Sequence, residues 1–309
     1  MGIEPTDDEI AAFYQSQSQN RVWVEAAAHF GMSKHALRNR WRRYTAAGRG
    51  LDPRLTEPSR FYKGRLEGRV LPVKQLGAIA VIADQHAPSM SEEILDWAVD
   101  VAAHYNCLQF INLGDVVDEY AASRWPKLYD ALDAEQEFQL ARKQLELLND
   151  AFPHQWITLG NHDLRNMYNG FMTNGEAAYV PFDKTLNAPL GWSFCHEIEL
   201  TLVTGEPVHV RHDPGFSGAT PALAAAKSLG ISTISGHHHT AQGVWQYQFK
   251  DYSVTGMNVG CMIDATSYMF DYTGKKKPLA LGMGVIDGNG VMISVPYRKV
   301  KRFGGYNGH

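Results

Sequence analysis

The chain has 309 residues and a net charge of −4, with 44% hydrophobic and 20% charged residues; this is the composition of a soluble globular protein of about one or two domains. No run approaches the roughly 20 apolar residues that a membrane span needs, and the acidic opening MGIEPTDDEI lacks the apolar core of a secretory leader. Three scattered cysteines, Cys107, Cys195 and Cys261, argue against a disulfide framework and for a reducing, cytoplasmic setting. The charge itself is unevenly spread. Residues 1–32 hold five acids against Arg21, whereas residues 33–60 hold eight basic residues against Asp52 and Glu57.

Residues 7–47 are expected to form three helices. Thr6 with Glu9 makes a capping box for the first, and RVWVEAAAHF spaces Val22, Ala26 and Phe30 along one face of the second. Gly31 supplies a turn, Ser33 an N-cap, and SKHALRNRWRRY buries Ala36, Leu37, Trp41 and Tyr44 while its arginines lie elsewhere. Helix, glycine turn and basic helix resemble a helix-turn-helix, as in small phage and transposase DNA-binding domains. That resemblance implies DNA as a partner, contacted by Arg38, Arg40, Arg42 and Arg43. A basic module used for packing or protein contact is the alternative. Domain limits follow as 1–48 for this module, 49–75 for a Pro/Gly-rich linker and lead-in, and 76–309 for the remainder.

From residue 76 the pattern becomes apolar, β-branched runs that each end in metal-ligand types. GAIAVIAD leads into Asp84-Gln85-His86, and LQFINLGD leads into Gly114-Asp115 with Asp118 following. HQWITLGNHD ends in Asn161-His162-Asp163, VHVRHD carries His212, and ISTISGHHH ends in His237-His238-His239. Open α/β sheets place their sites at such C-terminal strand ends. Residues two apart on an extended segment point the same way, so Asp84 pairs with His86, and His237 with His239. Mixed carboxylate, amide and imidazole donors suit manganese first, with iron, zinc, cobalt or nickel as alternatives, over calcium. Asp84, His86, Asp115, Asn161, His212, His237 and His239 are too many for one ion. Two ions about 3.5–4 Å apart, sharing a carboxylate, would use them all.

The ordered motifs Asp84-Gln85-His86, Gly114-Asp115-Val116-Val117-Asp118, Gly160-Asn161-His162-Asp163, His212 and Gly236-His237-His238-His239 resemble the calcineurin-like metallophosphoesterase family over residues 76–270. The resemblance implies a two-sheet αββα sandwich, giving an α/β fold preceded by the small all-α module. It also implies one ion on Asp84, His86 and His239, a second on Asn161, His212 and His237, and Asp115 bridging both. His162 would be the general acid or donor to the phosphate, with Asp163 holding its imidazole in the right tautomer. Asp118 would orient a ligand or end the turn. Asp213 stands where the family usually has Gly, which leaves His209 as a fallback for His212. A water between the ions would lose its proton and attack phosphorus, and Arg165 is a candidate cation for the substrate.

Residues 119–153 are expected to form a covering helix, with Leu128, Leu132, Phe138, Leu145 and Leu148 near helical spacing. Tyr120, Ser123 and Arg124 after Asp118 resemble phage-encoded members, which would set the protein in a bacterial host's cytoplasm. Tyr120 and Arg124 are candidates to line a substrate groove, and Trp125 to pack. Asn258-Val259-Gly260-Cys261 resembles the family's closing strand. Basic clusters at 275–277 and 298–302 are solvated charge or polyanion contacts. The leading expectation is a two-metal nuclease or phosphodiesterase directed to DNA by the N-terminal module. A phosphomonoesterase acting on a phosphoprotein or nucleotide, and a DNA-binding regulator with an inactive core, are the alternatives.

Overall fold

A computed structural model describes residues 70–123, 131–165, 188–189, 191–267 and 278–298. Its strands are β1 (Val70–Lys74), β2 (Ala78–Ile82), β3 (Cys107–Asn112), β4 (Gln155–Thr158), β5 (Trp192–Cys195), β6 (Glu197–Thr201), β7 (Pro207–Arg211), β8 (Ser232–Ser235), β9 (Gly243–Gln248), β10 (Ser253–Asn258), β11 (Gly282–Ile286) and β12 (Met292–Pro296). The helices are α1 (Glu92–His104), α2 (Ala134–Ala151) and α3 (Pro221–Leu229). The helix-turn-helix expected over residues 1–48, with Arg38, Arg40, Arg42 and Arg43, lies outside the described residues, as do Arg124, Trp125 and residues 275–277.

Two mixed six-stranded sheets face one another, in the orders β1-β6-β7-β8-β10-β9 and β12-β11-β2-β3-β4-β5. The sequence AIAVI of β2 is buried throughout and serves two cores by alternation. Ile79 and Val81 join Ile198, Leu200, Val210 and Ile234 between the sheets. Ala80 and Ile82 turn the other way, onto Ile94 and Leu95 of α1 and Leu145 and Leu148 of α2. On the far side α3 covers β8 and β10. It lies so close that a Cβ on Gly256 would strike the backbone of Leu223. Helices on the outer faces of two stacked sheets make the expected αββα layering.

Two boundaries differ from those expected. The sequence 70–75, assigned to the lead-in, contains β1, which pairs in parallel with β6 from Val70 to Lys74. Pro72 is tolerated within it because β1 is an edge strand, where proline is commonly found. The covering helix begins only at Ala134. Asp133 accepts from the Gln136 amide at 2.8 Å and the Gln136 side chain accepts from the Asp133 amide at 3.2 Å, a capping box that starts the helix there. Tyr120–Ala122 is a single 3-10 turn. Among the described residues no helix is long and apolar enough to cross a membrane.

Phe152 closes α2 onto the sheet. It is 1% exposed and its ring lies 5.1 Å from that of Phe110. Phe152→Ala should lower the unfolding free energy by about 3–5 kcal/mol, read as a lower urea midpoint with an unchanged slope. A loss below about 1 kcal/mol would mean that this contact does not anchor α2.

Candidate metal centre

Strands β2, β3 and β4 run parallel in one sheet, as do β7 and β8 in the other, and their C-terminal ends meet along one rim, where the His237 amide donates to Asp84 Oδ2 at 3.0 Å and His212 Nδ1 lies 2.6 Å from Leu113 O. The strands stop before the ligand-type residues, which lie in the turns. The β2 and β3 turns stay joined past the strands: the Asp84 amide donates to Gly114 O at 3.0 Å, and the His86 amide to Asp115 O at 2.9 Å. Asp84, His86, Asp115 and His237 have φ of 54°, 48°, 48° and 65°. Left-handed backbone is costly for side-chain-bearing residues and persists only where the surroundings over-determine it. Asp84 and His86 therefore meet through two left-handed residues and not through the extended alternation expected. Gly160 is required where this turn crosses β4, since a Cβ there would strike the Asp115 carboxylate.

Among the described residues three overlapping groups could each hold a metal ion: Asp84 with His86, Asp115 and His239; Asp115 with His212 and His237; and His86 with Asp118 and His162; the first two share Asp115. In the first, His239 Nε2 lies 3.2 Å from Asp84 Oδ1 and 3.1 Å from His86 Nε2. In the second, His212 Nε2 lies 3.2 Å from His237 Nδ1. Asp115 Oδ2 faces both of these, at 3.6 Å from His86 Nε2 and 3.2 Å from His212 Nε2. The two deepest imidazoles are held from behind. His86 Nδ1 donates to Asp118 Oδ1 at 2.9 Å, and His212 Nδ1 donates to Leu113 O at 2.6 Å. Each bond fixes the tautomer that turns an Nε2 lone pair toward the cluster.

His162 sits beside the first two groups, its ring 4.4 Å from that of His86. Its amide donates to Asp115 Oδ1 at 2.8 Å. The role expected of Asp163 is corrected here. Asp163 does not touch the His162 ring; its carboxylate accepts the amides of Asp115, Val116 and Gly160 at 2.8, 2.8 and 2.9 Å. It thereby ties the β3 turn to the β4 turn. The residue that holds His162 is Asp118, whose Oδ1 and carbonyl oxygen lie 2.9 and 2.7 Å from Nδ1. Chain adjacency favoured Asp163, but the turn geometry aims it at backbone amides. Arg165 donates through Nη1 to the carbonyls of Asp118 and Glu119 at 2.8 and 3.0 Å, and its Nη2 lies 3.0 Å from His162 Nε2.

Four buried carboxylates, Asp84, Asp115, Asp118 and Asp163, crowd this rim. Burial alone would raise Asp115, but His212, His162 and His86 hold it well below the ordinary range. Burial would depress His212 and His162, yet Asp115 beside them lifts them to about 10 and about 9, with Asp118 also raising His162. Burial and positive neighbours lower His86 and His237 from the ordinary imidazole value. Protons are thus drawn into a site whose donor set, hard oxygens with imidazole nitrogens, matches a divalent transition ion.

The remaining expected residues are dispersed. Asn161 follows β4 in the same turn, with its side chain exposed. His209, the fallback, lies on the outer face of β7 at 3.4 Å from Glu197, away from the cluster. Tyr120 is 2% exposed, so it packs and lines no groove. Asn258 joins β10 to β8 and α3, donating to Ser235 Oγ at 3.0 Å and accepting the Ala222 amide at 3.1 Å. Glu137 is the residue that the sequence reading missed. It is buried on α2 and accepts the amides of Tyr120 and Ala121 at 2.6 and 2.7 Å, fixing the turn that carries Asp118. Its signal was an acid on the stripe with Ala141, Leu145 and Leu148, where an apolar residue is expected.

Comparison with known proteins adds the family. Residues 77–241, more than half of the chain, match the model of the calcineurin-like phosphoesterases. No curated protein matches the chain. Among solved structures, vacuolar protein sorting 29 of Cryptosporidium parvum aligns over 72% of this chain and 96% of its own, at 13% identity and TM-score 0.38. The phosphoesterase YfcE of E. coli aligns over 68% and 88%, at 14% identity and TM-score 0.36. Vps29 of Chaetomium thermophilum aligns over 68% and 81%, at 13% identity and TM-score 0.35. With two stacked sheets, a rim of clustered carboxylates and imidazoles, and a family match over that same stretch, the chain belongs to the calcineurin-like phosphoesterases, metal-dependent hydrolases of phosphoesters.

Proposed function

We propose that this protein is a two-metal phosphodiesterase that cuts nucleic acid, directed to DNA by its N-terminal segment. The observation that carries the metal assignment is the position of Asp115, one carboxylate oxygen facing two separate imidazole groups at 3.6 and 3.2 Å. Asp84, His86 and His239 would hold one ion, Asn161, His212 and His237 the other, and Asp115 both. The donor types favour manganese, with iron, zinc, cobalt or nickel also suited. Bound there, two ions supply a water acidic enough to ionise near neutral pH and positive charge for the phosphoryl oxygens.

The chain's own residues do the rest. Asp118 holds His162 at Nδ1, so Nε2 is the outward nitrogen, and the doubly protonated ring would give its Nε2 proton to the leaving oxygen. Arg165, tethered at Nη1 by two carbonyls, keeps Nη2 beside that atom and offers charge to a phosphoryl oxygen. Asp163 holds the two turns in register without reaching the reacting groups. The preference for nucleic acid rests on the basic stretch of Arg38, Arg40, Arg42 and Arg43.

Asp115→Asn should lose the most activity and bind fewer than two manganese ions per chain by elemental analysis. A variant with near-normal rate and two ions would place the bridge elsewhere. His162→Ala should keep both ions and slow turnover by roughly 100-fold or more; loss of an ion would make His162 a ligand instead. Removing residues 1–48 should weaken DNA binding while sparing hydrolysis of bis-p-nitrophenyl phosphate. Binding by the intact chain should fall with salt at a log–log slope of about −0.9 per phosphate contact on duplex. A salt-insensitive protein that cleaves only p-nitrophenyl phosphate would be a phosphomonoesterase.

A further inference from the structure

His237 differs from the other two imidazoles that face Asp115. Where His86 and His212 are backed at Nδ1 by Asp118 and by the Leu113 carbonyl, His237 turns Nδ1 inward, toward His212 Nε2 at 3.2 Å. Its outer nitrogen, Nε2, faces Asp213 Oδ2 at 3.7 Å. It is also more open, with its side chain 32% exposed on a left-handed residue, and so it has most need of a second constraint. Asp213 is itself held, since its Oδ1 accepts the Gly215 amide at 2.8 Å, which leaves Oδ2 for the imidazole. The two turns meet at a second point, where His238 Nε2 donates to Phe216 O at 2.8 Å. The 213–216 turn is thereby pinned against the 236–239 turn independently of Asp213.

We propose that Asp213 is a positioning residue whose carboxylate, facing His237 Nε2 at 3.7 Å, favours the proton on that nitrogen, so that Nδ1 keeps its lone pair toward Asp115 and His212 and that half of the site binds a divalent cation more tightly. This rests on the metal assignment above. A carboxylate behind a ligating imidazole fixes its ring and tautomer and makes it more basic, and removing such a partner costs roughly 10–100-fold in metal affinity.

Asp213→Asn separates the two contacts of Asp213, because the amide oxygen still accepts from Gly215 but the negative charge facing His237 is gone. The metal-stripped full-length protein would be titrated with manganese by calorimetry, and its histidine ring nitrogens observed by long-range proton–nitrogen NMR. The expected result is one class of site weakened roughly 10–100-fold, the other unchanged, an altered His237 ring signal before metal is added, and an unchanged melting temperature of the metal-free protein. Two sites of wild-type affinity in the variant would overturn the role of Asp213 alone. A wild-type chain that takes up no manganese would overturn the metal assignment, and the role of Asp213 with it. Equal weakening of both sites together with a lowered melting temperature would show Asp213 to be only a turn cap.

Discussion

A carboxylate taken out of water must be answered by charge or by hydrogen bonds, and Asp115 is taken out almost completely, at 1% exposed. One of its oxygens accepts the His162 amide; the other faces both His86 and His212. Its own amide donates to Asp163, and its carbonyl accepts from His86. Most of the rim can be described by what it does to this one residue. The β2 turn supplies an imidazole to it, the β4 turn an amide, and the turn after β7 a second imidazole. Removing any of these partners leaves a buried charge less compensated, and this is why the three turns behave as a unit.

The backbone bears part of that cost. Four residues of the cluster, Asp84, His86, Asp115 and His237, sit at left-handed φ. Residues in such a conformation cost of order 1–3 kcal/mol each. The amide net spread by Asp163, with the ladder bonds that continue past β2 and β3, holds the strained turns in place. The two sheets share the work, because the cluster draws on β2, β3 and β4 of one and on β7 and β8 of the other. The core of Ile79, Val81, Ile198, Val210 and Ile234 between them therefore sets the separation at which the donors meet.

The second layer decides which nitrogen of each imidazole faces inward. Asp118 serves two histidines at once, His86 from one side and His162 from the other, so an inward lone pair and the proton donor share one anchor. Glu137 extends that support to α2 by holding the turn after Asp118 at its amides. A helix that reads as a cover for the sheet thus also locates the proton donor.

What the sequence by itself determined was the set of donor types and their order along the chain. Strand-length apolar runs ending in Asp, Asn and His announce a site at strand ends, and the spacing of five such motifs carries the family. It also determined the alternation of β2, because every residue of AIAVI is apolar and must face one core or the other. Pairings between motifs were decided only by tertiary structure. Asp163 adjoins His162 in the chain and Asp118 lies 44 residues away, yet Asp118 holds the ring, since a tight turn aims consecutive side chains in different directions. The division of His237 and His239 between two groups, the service of Asp115 to both, and the left-handed turns that bring Asp84 to His86 have the same origin. Local sequence specifies which atoms are offered at a strand end, whereas the direction in which a turn presents them depends on what the opposite sheet places against it.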